Sequence, residues 1–216
     1  MSTFHSNEYP LSNSQQNIRS LEQAYPGTSI NNICETVRIR GNFDIPLLQE
    51  CLNRIVASDP GLRTQIRLKE DGTPVQYETA YQECQFPVLD FSSTNQNGLA
   101  YWESMKTREA MPLADCPLYA FWILRWGEHE GGVLVKTHHL ISDGWSEVDL
   151  INRIATTYLS LLNGEEPDLS NRVSYQRHVE AEQAYLASKA CERDSRYWKK
   201  ILQEPCAPVT LKDGSG

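Results

Sequence analysis

His138 and His139 stand side by side, and Asp143 and Gly144 follow within the segment Lys136-Thr137-His138-His139-Leu140-Ile141-Ser142-Asp143-Gly144-Trp145-Ser146. A neutral imidazole accepts a proton near neutral pH, so either histidine has the chemistry of a general base. Asp143 can hold a histidine, cap a turn or pair with an arginine, and Gly144 allows the backbone to reverse sharply. The plainer alternative is that all four are hydrogen-bonded loop residues. A zinc site is disfavoured, because neighbours on opposite faces of a strand cannot both reach one metal without a kink, and no third ligand lies nearby. If the strand holds through His139, alternation puts Val133, Val135, Thr137 and His139 on one face, and Leu134, Lys136 and His138 on the other. Lys136 marks the even face as partly polar. The odd face is then the better interior wall, which favours His139 as the working residue.

The elements around the segment must aim it. Gly131–His139 and Pro117–Trp126 read as apolar strands joined by a polar turn, expected as antiparallel neighbours near the centre of a sheet. A helix is expected behind the segment, capped by Ser146 with Asp149, with Val148, Ile151, Ala155, Tyr158 and Leu162 on its buried face. Ser12 or Ser14 caps a first helix ending near Ala24. Residues 32–41 alternate as a strand (Ile33, Val37, Ile39). Asp44 caps a helix with Pro46 in its first turn and Leu48, Leu52, Ile55 and Val56 on its stripe. Leu62–Leu68 and Val75–Ala80 flank a turn signal, residues 86–92 suit an edge strand, and Asn97–Ala110 suits a helix stopped before Pro112. Two more helices are expected over 175–186 and 188–202. The mixture is α/β in the loose sense, or α+β. Tyr119, Phe121, Trp122 and Trp126 are expected in the core, half on each face, and Trp145 is expected to pack.

The chain has 216 residues, 40 % apolar and 22 % charged, which suits one globular domain or two small lobes. A net charge of −8 argues against nucleic acid and against an anionic membrane surface as partners. No run approaches the roughly 18 apolar residues of a membrane span, and the polar start lacks the features of a secretory signal. The six cysteines are widely spaced, without a C-x-x-C pair, as expected of reduced cytosolic thiols. A cytoplasmic location follows as the expectation. The closing Gly-Ser-Gly suggests an engineered tail, so residues 204–216 are expected to be a truncated inter-lobe segment and the preceding 1–203 one lobe.

His138-His139-Leu140-Ile141-Ser142-Asp143-Gly144, an HHxxxDG pattern, resembles the signature of condensation domains of nonribosomal peptide synthetases, a branch of the chloramphenicol-acetyltransferase-like superfamily. The pattern alone also occurs in other acyltransferases of that superfamily, while the extension Ile141-Ser142-Asp143-Gly144-Trp145-Ser146 is more specific. Further stretches agree in order. Residues 9–18 resemble the family's opening motif, where Ser-x-x-Gln enters the first helix. Residues 59–66 resemble the second motif, around Leu62-Arg63-Thr64. Residues 173–186 resemble the fourth, although its usual Tyr-x-Asp-Phe reads Tyr175-Gln176-Arg177-His178 here. Residues 192–202 match the family's charged helix ending in an aromatic and Trp. The resemblance spans nearly the whole chain but only the first half of the family's domain, its N-terminal lobe.

The resemblance implies amide formation between a donor acyl or peptidyl thioester and the amine of an acceptor amino acid held on a carrier protein. Both substrates arrive on phosphopantetheine arms, or the donor as acyl-CoA, with no bound cofactor and no metal. It implies His139 as general base or positioning group, with His138 and Asp143 structural, Asp143 paired with Arg63, and Gly144 lining the tunnel. Taken alone, Arg63 would be an ordinary surface strand residue. The implied partners are carrier proteins and the missing C-terminal lobe. The absence of His and Glu before Leu62-Arg63-Thr64, with a Met shortly before the first motif, resembles a starter-type domain that acylates with a fatty acid. Asp-Gly-Trp-Ser weighs against an epimerisation domain, and the paired histidines against a heterocyclisation domain. Two alternatives stand beside this: an excised lobe that only docks carrier proteins, and a stand-alone HHxxxDG acyltransferase.

Overall fold

The computed structural model describes residues 8–41, 43–93, 96–170 and 172–203. The chain forms two compact units, Met1–Gln176 and Arg177–Gly216. The expected boundary at residue 203 and the tail after it adjoin or lie outside the described residues.

The first unit opens with β1 (Tyr9–Pro10) and α1 (Asn13–Ala24). Ser12 caps α1: its hydroxyl accepts from Gln15 N while the Gln15 side chain accepts from Ser12 N. This reciprocal box satisfies two of the donors that every helix start leaves open. Next come β2 (Asn32–Arg40), α2 (Ile45–Ser58), β3 (Thr64–Leu68), β4 (Pro74–Glu78), β5 (Val88–Asp90) and α3 (Gln96–Arg108). The unit continues through β6 (Tyr119–Arg125), β7 (Glu130–His138) and α4 (Gly144–Leu162). Asp44 caps α2 by accepting from Leu47 N at 2.9 Å, as its sequence suggests.

The strands form two sheets, one ordered β1-β4-β3 and one ordered β2-β7-β6-β5. All pairings are antiparallel except β5 against β6, so β6 and β7 lie at the centre of their sheet and β5 at its edge. The two-residue β1 is too short to show a strand period in sequence; it pairs with β4, whose Gln76 side chain also donates to Pro10 O at 3.0 Å.

Alternation sorts the central sheet. Phe121, Ile123, Val133 and Val135 point to one side and pack with Leu48, Cys51, Leu52 and Ile55 of α2 and Leu150, Ile154 and Tyr158 of α4. Each fully buried side chain of this size contributes about 1.5–3 kcal/mol relative to exposure. The other face lies under α3, where Trp102 meets Trp122 edge-on at 5.9 Å. The aromatic cluster is therefore shared between the two faces, as expected. Lys136 makes this face partly polar, as expected, but without opening it to water. It is only 3 % exposed, and its ammonium donates to the carbonyls of Lys106 (2.7 Å) and Glu109 (2.5 Å) at the end of α3. Burial holds its pKa below the usual lysine value, partly offset by the charge of Glu109; carbonyls at a helix C-terminus favour a cation there.

The second unit holds α5 from Arg177 onward (the helix spans Gln176–Leu186) and α6 (Lys189–Ile201). Ser188 caps α6 by accepting from Cys191 N at 3.2 Å. No helix among the described residues is long and apolar enough to cross a membrane.

Candidate active site

β7 delivers the two histidines in different states because it ends between them. His138 is the last strand residue, and its N–H donates to Leu118 O on the β6 side at 2.9 Å. His139 N–H donates to Asn31 O beside β2, also at 2.9 Å. The backbone then turns, with Ile141 N–H returning to His138 O at 3.0 Å. The expectation that His139 continues the strand as part of an interior wall is thus corrected. His139 is exposed in the turn, and the residue that closes the buried strand is His138.

His138 is 1 % exposed. Its Nδ1 accepts from Leu140 N–H at 3.1 Å, so the neutral ring carries its proton on Nε2 and donates it to Glu22 Oε1 at 3.2 Å. Burial lowers the pKa of His138, against the opposing pull of Glu22. The Glu22 carboxylate also accepts from Asn31 Nδ2 at 2.7 Å, which joins α1, the approach to β2 and the histidine turn. Both ring nitrogens of His138 are engaged, so it shapes the turn and has no site left for a substrate.

His139 is arranged the other way. Its Nδ1 lies 2.8 Å from the Ser142 carbonyl oxygen, which can only accept. The neutral ring therefore keeps its proton on Nδ1 and presents the Nε2 lone pair outward. Among the described residues, Nε2 has no hydrogen-bond partner.

Asp143 is the N-cap of α4, accepting from Ser146 N–H and Ser146 Oγ–H, each at 2.8 Å. These hydrogen bonds, the backbone one first, hold its carboxyl below the usual range. The sequence pattern puts the cap at Ser146, and the structure moves it three residues back. The buried face of α4 moves with it, to Glu147, Leu150, Ile154, Thr157 and Tyr158. Val148 is exposed, and Trp145 is 85 % exposed rather than packed. Gly144 is the first residue of α4, and its φ is not positive, so no left-handed turn requires glycine there.

Arg63 does not pair with Asp143. Its guanidinium donates to Val56 O (3.2 Å) and Thr79 O (2.9 Å), tying the end of α2 to the end of β4. Among the described residues, the ion pair that ties the Leu-Arg-Thr segment to the helix behind the histidines is Asp59–Arg153, at 2.6 Å. Arg153 also donates to Ser58 Oγ at 2.8 Å.

Two residues of the site carry no mark in the sequence of belonging to it. Gln15, the capping partner of Ser12, also donates to Leu140 O (2.9 Å) and to Gln76 Oε1 (2.8 Å), clamping the histidine turn to α1 and β4. The Ser-x-x-Gln spacing announces the cap but not the clamp. Glu147, only 2 % exposed, accepts from Ser142 Oγ–H at 2.7 Å and from Thr137 Oγ–H. Among the described residues, no cluster of His, Cys, Asp and Glu is placed to hold a metal ion.

With this geometry in view, the comparisons with known proteins are specific. Residues 5–214 match the family described as Condensation domain. The chain belongs to the condensation-domain family. It is similar to surfactin synthase subunit 1 of Bacillus subtilis (strain 168), 32 % identical over 209 residues that cover 94 % of this chain and 6 % of that protein. A dimodular nonribosomal peptide synthase of the same organism is 26 % identical over 208 residues, covering 95 % of this chain and 9 % of its own. Among solved structures, the starter condensation domain of rhizomide synthetase RzmA superposes with TM-score 0.86 at 24 % identity, covering 95 % of this chain and 50 % of that one. The first condensation domain of the CDA synthetase gives 0.81 at 22 %, covering 96 % and 53 %. These establish the fold of a condensation-domain lobe, mixed α and β with mainly antiparallel sheets. The chain spans about half the length of those solved domains and a small part of the curated relatives.

Proposed function

We propose that this chain is the histidine-bearing lobe of an amide-forming condensation domain of a nonribosomal peptide synthetase, with His139 acting on the attacking amine. The donor is an acyl or peptidyl thioester, and the acceptor is an aminoacyl thioester on a carrier protein, each carried on a phosphopantetheine arm, or the donor as acyl-CoA. The amine nitrogen attacks the thioester carbonyl carbon, the C–N bond forms, and the C–S bond breaks. The sulfur leaves with the electron pair and takes up a proton, while the amine gives one up. His139 Nε2 is the acceptor for that proton, or the group whose hydrogen bond aims the nitrogen lone pair. The observation that carries this is the Nδ1–H bond to Ser142 O on an exposed ring, which leaves the Nε2 lone pair without a partner among the described residues. Asp59-Pro60 before Leu62-Arg63-Thr64, where peptidyl-accepting domains often have His and Glu, favours a fatty acyl donor of the starter type.

The 216 residues alone are expected not to turn over, because His139 is open to water and the solved domains are about twice as long. In that state the lobe serves at most to dock carrier proteins. The test is acyl transfer to an aminoacyl carrier protein by the two-lobe domain and its His139→Ala variant. We expect about a 10²–10⁴-fold loss of turnover in the variant, with folding retained. Unchanged turnover removes His139 from the mechanism, and turnover by the isolated chain defeats the claim that it is incomplete.

A further inference from the structure

The most unusual group near the histidine turn is Glu147. A carboxylate in the first turn of a helix normally faces solvent, where it favours the positive end of the helix dipole. This one points inward. Its Oε1 accepts from Thr137 Oγ–H, on the odd face of β7, and from Ser142 Oγ–H at 2.7 Å. Its Oε2 is buried without a hydrogen-bond partner among the described residues. A single oxygen therefore links three elements: the end of β7, the loop after it and the start of α4.

Ser142 is the junction. Its hydroxyl is held by Glu147, and its carbonyl receives the Nδ1–H of His139 at 2.8 Å. The remaining ties at this end of the loop belong to Asp143, which caps α4. They fix where the helix starts but not how the Ser142 peptide is rotated. The Glu147–Ser142 bond fixes the serine whose carbonyl selects the ring proton of His139.

We propose that Glu147 and Ser142 are positioning residues for His139: the buried carboxylate, anchored on Thr137, locks the Ser142 peptide so that its carbonyl keeps the imidazole in the Nδ1–H tautomer with Nε2 presented. The role rests on the proposed function of His139 for its effect on turnover, but the tautomer itself can be observed without any turnover. The requirement is for hydrogen-bond acceptance at Oε1, which a glutamine also supplies. Loss of the acceptor frees the peptide, and the ring then samples both tautomers, of which only one offers Nε2. Misplacement of a reacting group by about 1 Å costs on the order of 10²-fold in rate, so the effect belongs in kcat rather than in substrate affinity.

The experiment has two arms on the same variants, Glu147→Ala, Glu147→Gln and Ser142→Ala. In the 216-residue chain, ¹⁵N–¹H long-range NMR of the His139 ring should show the Nδ1–H tautomer in the wild type and in Glu147→Gln. A mixture of tautomers should appear in Glu147→Ala and Ser142→Ala. In the two-lobe domain, Glu147→Ala and Ser142→Ala should lower kcat by about 10–100-fold, with KM for the carrier-bound acceptor little changed, and Glu147→Gln should restore most of that loss. Wild-type tautomer in both alanine variants overturns the proposal, as does a Glu147→Gln ring as disordered as that of Glu147→Ala, since charge rather than acceptance would then be responsible. If Glu147→Ala does not fold, Ser142→Ala and Glu147→Gln decide by the same criteria. Tautomers that shift as stated while His139→Ala retains full turnover leave the positioning intact and refute only the proposed role of His139.

Discussion

Strand β7 and the turn that follows it are contiguous, yet they are held by opposite means. From Gly131 to His138 every residue is buried, and the strand is paired on both edges, by β2 and by β6. The three polar side chains at its end all have partners, Lys136 on the Lys106 and Glu109 carbonyls, Thr137 on Glu147, and His138 between Leu140 N–H and Glu22. From His139 to Ser146 most side chains are exposed, and their own polar bonds are local: His139 to Ser142 O, Asp143 to Ser146, and Ser142 to the buried Glu147. The contrast explains why adjacent histidines differ. A reactive acceptor must keep one valence unspent, and that is tolerable only where water can reach it, whereas a buried imidazole with a free nitrogen would be penalised. The strand supplies rigidity and the turn supplies the group that remains available.

The sharpest way to break this comparison is at Gly132. A Cβ built there overlaps the Val37 carbonyl oxygen and lies 2.8 Å from the Trp126 ring. Backbone cannot yield as a flexible side chain does, so Gly132→Ala should cost above about 3 kcal/mol, at or beyond the usual range for overpacking. A urea denaturation midpoint close to that of the wild type would show that β7 is less tightly gripped by β2 than its register implies.

His138 comes next. His138→Ala leaves Glu22 with one partner fewer and Leu140 N–H without its acceptor, a loss of about 2 kcal/mol. The pH dependence has a defined sign. The folded pKa of His138 lies below the ordinary 6.5 because the ring is buried, so the unfolded chain binds the proton more readily. The stability contributed by neutral His138 is complete above about pH 6.5 and is lost as pH falls from there toward the lower folded value. Denaturation midpoints at about pH 7.5 and pH 5.5 should differ more for the wild type than for His138→Ala. Equal pH responses would mean that the buried histidine is not the titrating group.

What can be read from the chain alone follows the same division. The central strands, α2 with its Asp44 cap, α1 with Ser12 or Ser14 as its cap, and α6 as a helix are legible, because apolar period and capping are local signals. Taking Ser146 as the cap displaces the start and face of α4. Glu147 is charged, and a pattern reading assigns charges to solvent, so a buried carboxylate shifts the inferred stripe by one position. The family resemblance implies Arg63–Asp143, whereas the pair present is Asp59–Arg153, whose members lie 94 residues apart and leave no mark in local spacing. The split into two sheets is equally hidden, because strands show their period in sequence but not their neighbours.

The smallest effect on stability is expected at Gly144, and it sharpens the comparison from the other side. A Cβ at this position meets nothing within 4 Å, and the residue opens a helix without a positive φ. Gly144→Ala should therefore leave the fold intact or stabilise it by about 0.5 kcal/mol, by restricting the unfolded chain. Two glycines in one motif region would then differ in opposite directions: Gly132 is required by packing, and Gly144 is not required by this lobe at all. On the proposed function, a substrate passing close to the turn would supply a reason for glycine at 144. In the two-lobe domain, Gly144→Ala should raise KM for the carrier-bound acceptor while the denaturation midpoint holds or increases. A variant equal to the wild type in both measurements would remove Gly144 from the substrate path and leave His139 as the motif's contribution to it.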